Sequence, residues 1–131
     1  MKIVIAGAGE VGSHLAKLLS NEEQDILLID ENADKLAMLD ASYNIMTMAG
    51  NPTSFLNLRN ALRDGCDLFI AVMPVESSNV VACSIAKTLG AATTVARISH
   101  YGYMAAENRK PMKQMGVDRV IYPEYLAAQE I

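Results

Sequence analysis

The 131-residue chain contains no tryptophan, two phenylalanines, two histidines and two cysteines, and its acids outnumber its bases by 15 to 11. Each shortage excludes something. Cys66 and Cys83 have no histidine near them. They are too few for a disulfide scaffold and fit neither a metal knuckle nor a redox pair, so both are expected to be reduced and partly buried. A net charge of −4 argues against nucleic acid as the main partner, because phosphate binding needs a basic face. No apolar run approaches the roughly 18 to 20 residues of a membrane helix, and the start "MKIVIAGAGE" lacks a cleavable secretion signal. The expectation is a cytoplasmic chain. No repeat, low-complexity segment or linker divides it, and its length suits one domain burying roughly two-thirds of its unfolded surface.

What is present is an alternation of short apolar runs with helical patterns. Strands are expected at Lys2–Ala6, Asp25–Ile29, Asn44–Met48, Asp67–Val72, Thr93–Arg97 and Arg119–Ile121. Runs such as "ILLI" and "LFIAV" are continuously apolar, which suits parallel strands covered on both faces. Val11, Leu15, Leu18 and Leu19 recur at helical spacing, and Ala33–Ala41 puts Leu36, Leu39 and the Met38 stem on one side. "SSNVVACSIAKTLG" opens at a capping serine and stops at Gly90; "YMAAENRKPMKQMG" stops at Gly116, with a break or kink expected at Pro111. The pattern predicts an α/β fold: a doubly wound, Rossmann-like parallel sheet of six strands in the order 3-2-1-4-5-6, with helices on both faces.

The first strand leaves through "GAGEVG", a GxGxxG loop that opens a helix, and an acid, Asp30, ends the second strand. A lone GxGxxG is weak evidence; strand, helix and acid together make it stronger. Gly7 would make the turn, Gly9 would let a pyrophosphate approach, and Gly12 would let the helix pack closely. Ala8 lies within this loop, and the amides of Glu10 and Val11 would face the phosphates at the positive helix end. The Glu10 carboxylate must then point to solvent. Asp30 would accept bonds from the ribose hydroxyls and repel a 2′-phosphate, favouring NAD or ATP over NADP. The competing role for Asp30 is to cap the helix that starts near Asn32.

With these segments laid out, the chain resembles the nucleotide-binding (RCK or KTN) domain of the cytosolic TrkA-type subunits of bacterial Trk potassium-uptake systems. The resemblance runs through "GAGEVGSHLAKLL", "LLIDEN", "AGNPTSFLNLRNA", "DLFIAVMPVESSNVVACSIAK", "VARISHYGY" and "GVDRVIYPEYLAAQEI", essentially the whole chain. It implies a nucleotide site that includes Gly7, Gly9, Gly12 and Asp30. A Gly-Asp-x-Thr pattern beside the adenine falls on Gly50-Asn51-Pro52-Thr53, so Asn51 and Thr53 join the site, with Asn51 in place of the frequent aspartate. Val72 and Met73 would flank the ligand after strand four. There the pattern Thr-x-x-Asp-Glu-x-Asn meets Met73, Glu76, Ser77 and Asn79, and only Asn79 is unchanged. Arg97 matches an arginine placed to reach phosphates, against the alternative of a surface ion pair. Glu124 matches as well, and a helix N-terminal acid explains it equally.

The resemblance also implies NAD(H) as ligand, with ATP or ADP as the alternative. It implies a membrane-embedded, TrkH-like potassium transporter as partner, a homodimer or larger ring, and a peripheral place on the inner face of the plasma membrane. Residues 1–131 would be the N-terminal nucleotide-binding domain of a longer subunit, with Pro123–Ile131 near the dimer contact. The rival reading is the cofactor domain of an NAD-dependent oxidoreductase. It needs a substrate domain and a positioned proton donor. His14 sits in the first helix as a surface residue, and "SHYGY" gives His100 no lysine or acid to orient it. No GxxxxGK-type loop supports phosphoryl transfer. Catalysis is not expected. A third reading, an assembly domain with an empty loop, predicts no heat-stability gain from NAD or ATP. Met104, Met112 and Met115 are expected to fill core space around the last helix rather than mark a partner surface.

Overall fold

The computed structural model describes residues 1–20, 23–42, 44–99 and 106–122. Six strands, Lys2–Ala6 (β1), Asp25–Asp30 (β2), Met46–Ala49 (β3), Leu68–Ala71 (β4), Thr93–Arg97 (β5) and Arg119–Ile121 (β6), form one sheet in the order β3-β2-β1-β4-β5-β6. All five pairings are parallel, as the continuous apolar runs predict. Between the strands lie Glu10–Leu19 (α1), Ala33–Ser42 (α2), Phe55–Ala61 (α3), Glu76–Thr88 (α4) and Ala106–Gln114 (α5).

Side-chain alternation divides the core in two. Ile3, Ile5, Ile26, Leu28 and Ile70 face α1 and α2 and meet Ala16, Leu36 and Leu39. Val4, Ala6, Ile29, Phe69 and Ala71 face the other way and meet Leu58 of α3, Val80, Cys83 and Ala86 of α4, and Met112 of α5. Both layers are needed, because a central parallel strand has two apolar faces to bury. Cys66 and Cys83 are free and buried in the second layer, and burial pushes their thiols up to about 11 and about 12.

Several local expectations change. Leu18 and Met38 are 65% and 75% exposed; Gly12 and Ala16 instead form the buried stripe of α1, since small residues let it lie close to the sheet. The fourth helix begins at Glu76 behind Val75, with no side-chain cap, so the serines fall inside its first turn. Asn32 is the residue whose Oδ1 accepts the Asp34 and Lys35 amides at 3.0 and 3.2 Å, so Asp30 is not the cap of α2. Helix α3 lies where the sequence pattern predicts no element; Ser54 caps it by accepting the Asn57 amide at 3.3 Å. Helix α5 runs through Pro111, whose carbonyl accepts the Met115 amide at 3.0 Å. Met112 is buried as expected, whereas Met115 is 51% exposed. Gly90 and Gly116 do end α4 and α5, with φ of 108° and 98°.

The outer strand β6 is joined to β5 by a polar knot. Thr94 is fully buried; its hydroxyl donates to the Gly116 carbonyl and accepts the Asp118 amide at 3.0 Å. Asp118 Oδ2 accepts the Thr94 amide at 3.0 Å and Lys87 Nζ at 2.8 Å. Partial desolvation alone would raise the pKa of Asp118, but the bonds from Lys87 and Thr94 and the charges of Lys87 and Lys113 outweigh it and hold the carboxyl below its usual value. A depressed folded-state pKa stabilises the fold above the unfolded carboxyl pKa, and the contribution is lost as pH falls through the folded one. Denaturant unfolding should therefore show stability falling as pH drops from about 5 toward 3. Asp118→Asn should flatten that dependence and cost about 1–2 kcal/mol at pH 7.

Candidate functional site

The register brings the carboxyl ends of four strands together: Ala6 pairs with Ile29 and with Ala71, and Asp30 with Ala49. At this edge the chain leaves β1 through Gly7–Gly12. Gly7 has φ +114°, which L side chains rarely adopt, and its amide donates to Ile29 O at 2.9 Å. Gly12 is fixed by space: a Cβ there would lie 1.8 Å from the Gly7 carbonyl oxygen and 3.2 Å from Val72 Cγ2. Its packing partner is therefore the loop as much as the strand. Gly9 differs from both. It stands at the N-cap of α1 with ordinary φ −73°, and a Cβ there would meet nothing within 4 Å. The space above Gly9 is open.

Asp30 fastens this loop. One carboxylate oxygen accepts the Ala8 amide at 2.7 Å and the other the Asn32 amide at 2.7 Å. The carboxylate thus bridges the β1–α1 and β2–α2 turns and keeps lone pairs for further donors. The Ser13 hydroxyl donates to Ala8 O at 2.9 Å and closes the loop from the helix side. Glu10 is exposed, and Val11 packs on the α1–α2 layer. The helix N-terminus, with its amides and positive dipole end, opens onto the space at Gly9.

Asn51 and Thr53 follow β3, and the Gly50 amide donates to Asp30 O at 2.9 Å, so their turn lies beside Asp30. Asn51 Oδ1 accepts both the amide and the hydroxyl of Thr53, at 2.9 and 2.7 Å. The side chain that replaces the frequent aspartate therefore shapes its own turn. On the other flank, Val72 is buried and its amide donates to Ala6 O at 2.9 Å. Met73 lies against Gly7: its Cγ and backbone N are 3.2 Å from where a Gly7 Cβ would be. In the sequence Asn79 is only the unchanged position of a pattern. It is fully buried and bonds Met73 and Arg97 backbones, which sequence spacing does not reveal. Arg97 ends β5, and its Nε is buried with no hydrogen-bond partner among the described residues.

The remaining candidates fall away from this cluster. His14 is an exposed residue of α1, while His100, Met104 and Glu124 lie outside the described residues. Among the described residues no group of three or more His, Cys, Asp or Glu is placed to hold a metal ion, and no helix is long and apolar enough to cross a membrane. A cavity of about 920 Å³ is lined by Lys87, Thr93, Asp118 and Tyr122 among others, and by no residue of the glycine loop. A smaller cleft of about 430 Å³ takes in Ala8, Gly9 and Glu10 with Lys17 and Lys35, between α1 and α2. The glycine loop is the candidate because its backbone donors and bridging carboxylate converge, not because of size.

The TrkA-N domain family matches residues 3–123. The chain belongs to the TrkA-N domain family. The Trk system potassium uptake protein TrkA of Halomonas elongata is 36% identical over 132 residues, a match covering all of this chain and 29% of that protein. The chain thus spans less than a third of that relative's length. Among solved structures, the TrkA-N domain of the inner membrane protein ybaL from Escherichia coli superposes with a TM-score of 0.81 at 16% identity, over 98% of this chain and 92% of that one. The GsuK channel bound to NAD gives a TM-score of 0.74 at 19% identity, over 93% of this chain and 21% of that one. Structures of the same fold include oxidoreductases, so the fold by itself selects no function.

Two glycines of this TrkA-N loop, Gly12 and Gly9, should separate experimentally. Gly12→Ala, with its 1.8 Å clash against backbone, should lose at least about 3 kcal/mol of unfolding free energy or fail to fold. Gly9→Ala, entering open space at the helix cap, should stay within about 1 kcal/mol of the parent in the same denaturation measurement.

Proposed function

We propose that this chain is the nucleotide-sensing domain of a regulatory subunit of a potassium-uptake system. In this reading it binds an adenine nucleotide across the carboxyl ends of β1 and β2 and performs no catalysis. The observation that carries the reading is the Asp30 carboxylate bridging the Ala8 and Asn32 amides beside the open space at Gly9. That arrangement preorders backbone donors for a pyrophosphate and leaves carboxylate lone pairs for ribose hydroxyls. The family and the TrkA relative support the potassium-uptake role, and the NAD-bound GsuK channel supports the ligand class.

NAD(H) is the ligand favoured here, with ATP or ADP the second choice. The backbone loop accepts any pyrophosphate, while Asp30 repels a 2′-phosphate. Gly7, Ala8, Gly9, Glu10, Val11 and Gly12 would contribute backbone, and Asp30 the ribose contact. Asn51 and Thr53 would border the adenine, with Val72, Met73 and Arg97 toward the far end. The domain would act in the cytoplasm on the inner face of the membrane, as a homodimer or larger ring docked on a membrane-embedded transporter. Different nucleotides would gate transport by favouring different domain arrangements, each in proportion to its differential affinity for them. In this reading the domain is one part of a longer subunit; its match covers 29% of the TrkA relative.

Two measurements test the reading. In calorimetric titration the parent should bind NAD with clear preference over NADP, and Asp30→Ala should weaken NAD binding by about 1–3 kcal/mol. Equal affinity for NAD and NADP would place the ribose elsewhere. Potassium flux through the reconstituted transporter with the full-length subunit should differ among NADH, NAD, ATP and ADP. Flux indifferent to all four while binding is confirmed would end the regulatory reading, and hydride turnover would install the oxidoreductase in its place.

A further inference from the structure

Two side chains at the start of α4 reach out of the helix to backbone on separate strand ends. Asn79 is fully buried, and its amide group makes three hydrogen bonds to the main chain, two from Nδ2 and one to Oδ1. Oδ1 accepts the Met73 amide at 2.7 Å, while Nδ2 donates to Met73 O at 3.0 Å and to Arg97 O at 2.8 Å. One turn earlier, Glu76 Oε2 accepts the Ser99 amide at 3.0 Å. Met73 is also the residue packed against Gly7 of the glycine loop. The chain of contacts therefore runs from Gly7 to Met73, through Asn79 to Arg97, and through Glu76 to Ser99.

We propose that Asn79 and Glu76 are positioning residues that make the first turn of α4 a rigid clip between the nucleotide loop and the segment after β5. The inference rests on nucleotide binding at Gly7–Gly12. A ligand that presses on or orders Met73 moves Asn79 with it, because a buried amide with three backbone bonds does not release one without leaving a polar group unpaired. Asn79 is held in α4, so the helix turn moves as a unit, and Glu76 passes the shift to Ser99. Occupancy at β1 is thereby felt beyond β5, two strands across the sheet from β1.

The test is residue-resolved amide hydrogen exchange on the labelled 131-residue chain, free and with saturating NAD. In the parent, NAD should slow exchange several-fold at glycine-loop amides, at Met73 and at Ser99. In Asn79→Ala, the glycine loop should still respond, whereas the Ser99 response should shrink to less than twofold. Glu76→Ala, a milder change at a partly exposed site, should bind NAD within twofold of the parent and keep the Met73 response while losing that of Ser99. A merely structural role for either residue would lower global protection without separating the Met73 and Ser99 responses. A Ser99 response that survives in Glu76→Ala, or is absent in the NAD-saturated parent, overturns the clip. If Asn79→Ala does not fold, the Glu76→Ala comparison alone decides. No NAD binding by the parent overturns the proposed function instead; the clip is then judged in the free chain, where Glu76→Ala must speed Ser99 exchange at least tenfold over the parent.

Discussion

The bond from the Ala8 amide to the Asp30 carboxylate is the contact on which the site depends. Without it, the glycine loop would hold two flexible glycines at a strand end with little to choose among their conformations. With it, the end of β2 dictates the path of the chain leaving β1, and the second carboxylate oxygen sets the Asn32 turn that starts α2. Gly12 completes the arrangement by allowing the helix backbone to touch the Gly7 carbonyl. A carboxylate that orders the loop and is also the proposed ribose acceptor would have two duties. Loss of its charge would therefore disturb the shape of the loop as well as the ribose contact proposed for it.

Most of the architecture was legible in the sequence, for a physical reason. Strands covered on both faces must be apolar at every position, so "IVIA", "ILLI" and "LFIA" announced a buried parallel sheet without any knowledge of its neighbours. The glycine loop was legible because Gly7 and Gly12 answer to backbone geometry, which permits no other residue. Side-chain details were less so. Leu18 and Met38 sit at helical spacing from core residues and still face outward, because the close approach of α1 through Gly12 and Ala16 determines which stripe is covered. The start of α4 was placed at a serine because serines cap well. The structure instead caps the helix at Val75, two residues before Ser77, where Val75 O receives the Ser78 and Asn79 amides.

The candidate site divides along the same line. The loop from Gly7 to Gly12 joins β1 to α1 as its spacing predicts. Residues that act through side chains were harder to assign. Asn51 spends its oxygen on Thr53, and Asp30 proves to be a bridge between two turns rather than a helix cap. Asn79 carried no local signal beyond its place in a pattern, since its partners are 6 and 18 residues away in sequence. Such contacts exist only once the strand order is known.

The two buried thiols give the molecule an internal reporter. Cys66 and Cys83 belong to the same core layer, on the side of α3, α4 and α5, and the α1–α2 layer contains no cysteine among its described residues. With thiol pKa values pushed to about 11 and about 12, neither sulfur offers an appreciable thiolate while the layer is closed. The rate at which an alkylating reagent consumes them therefore clocks the opening of one face of the sheet and is blind to the other. The natural sequence has in effect labelled half of its own core.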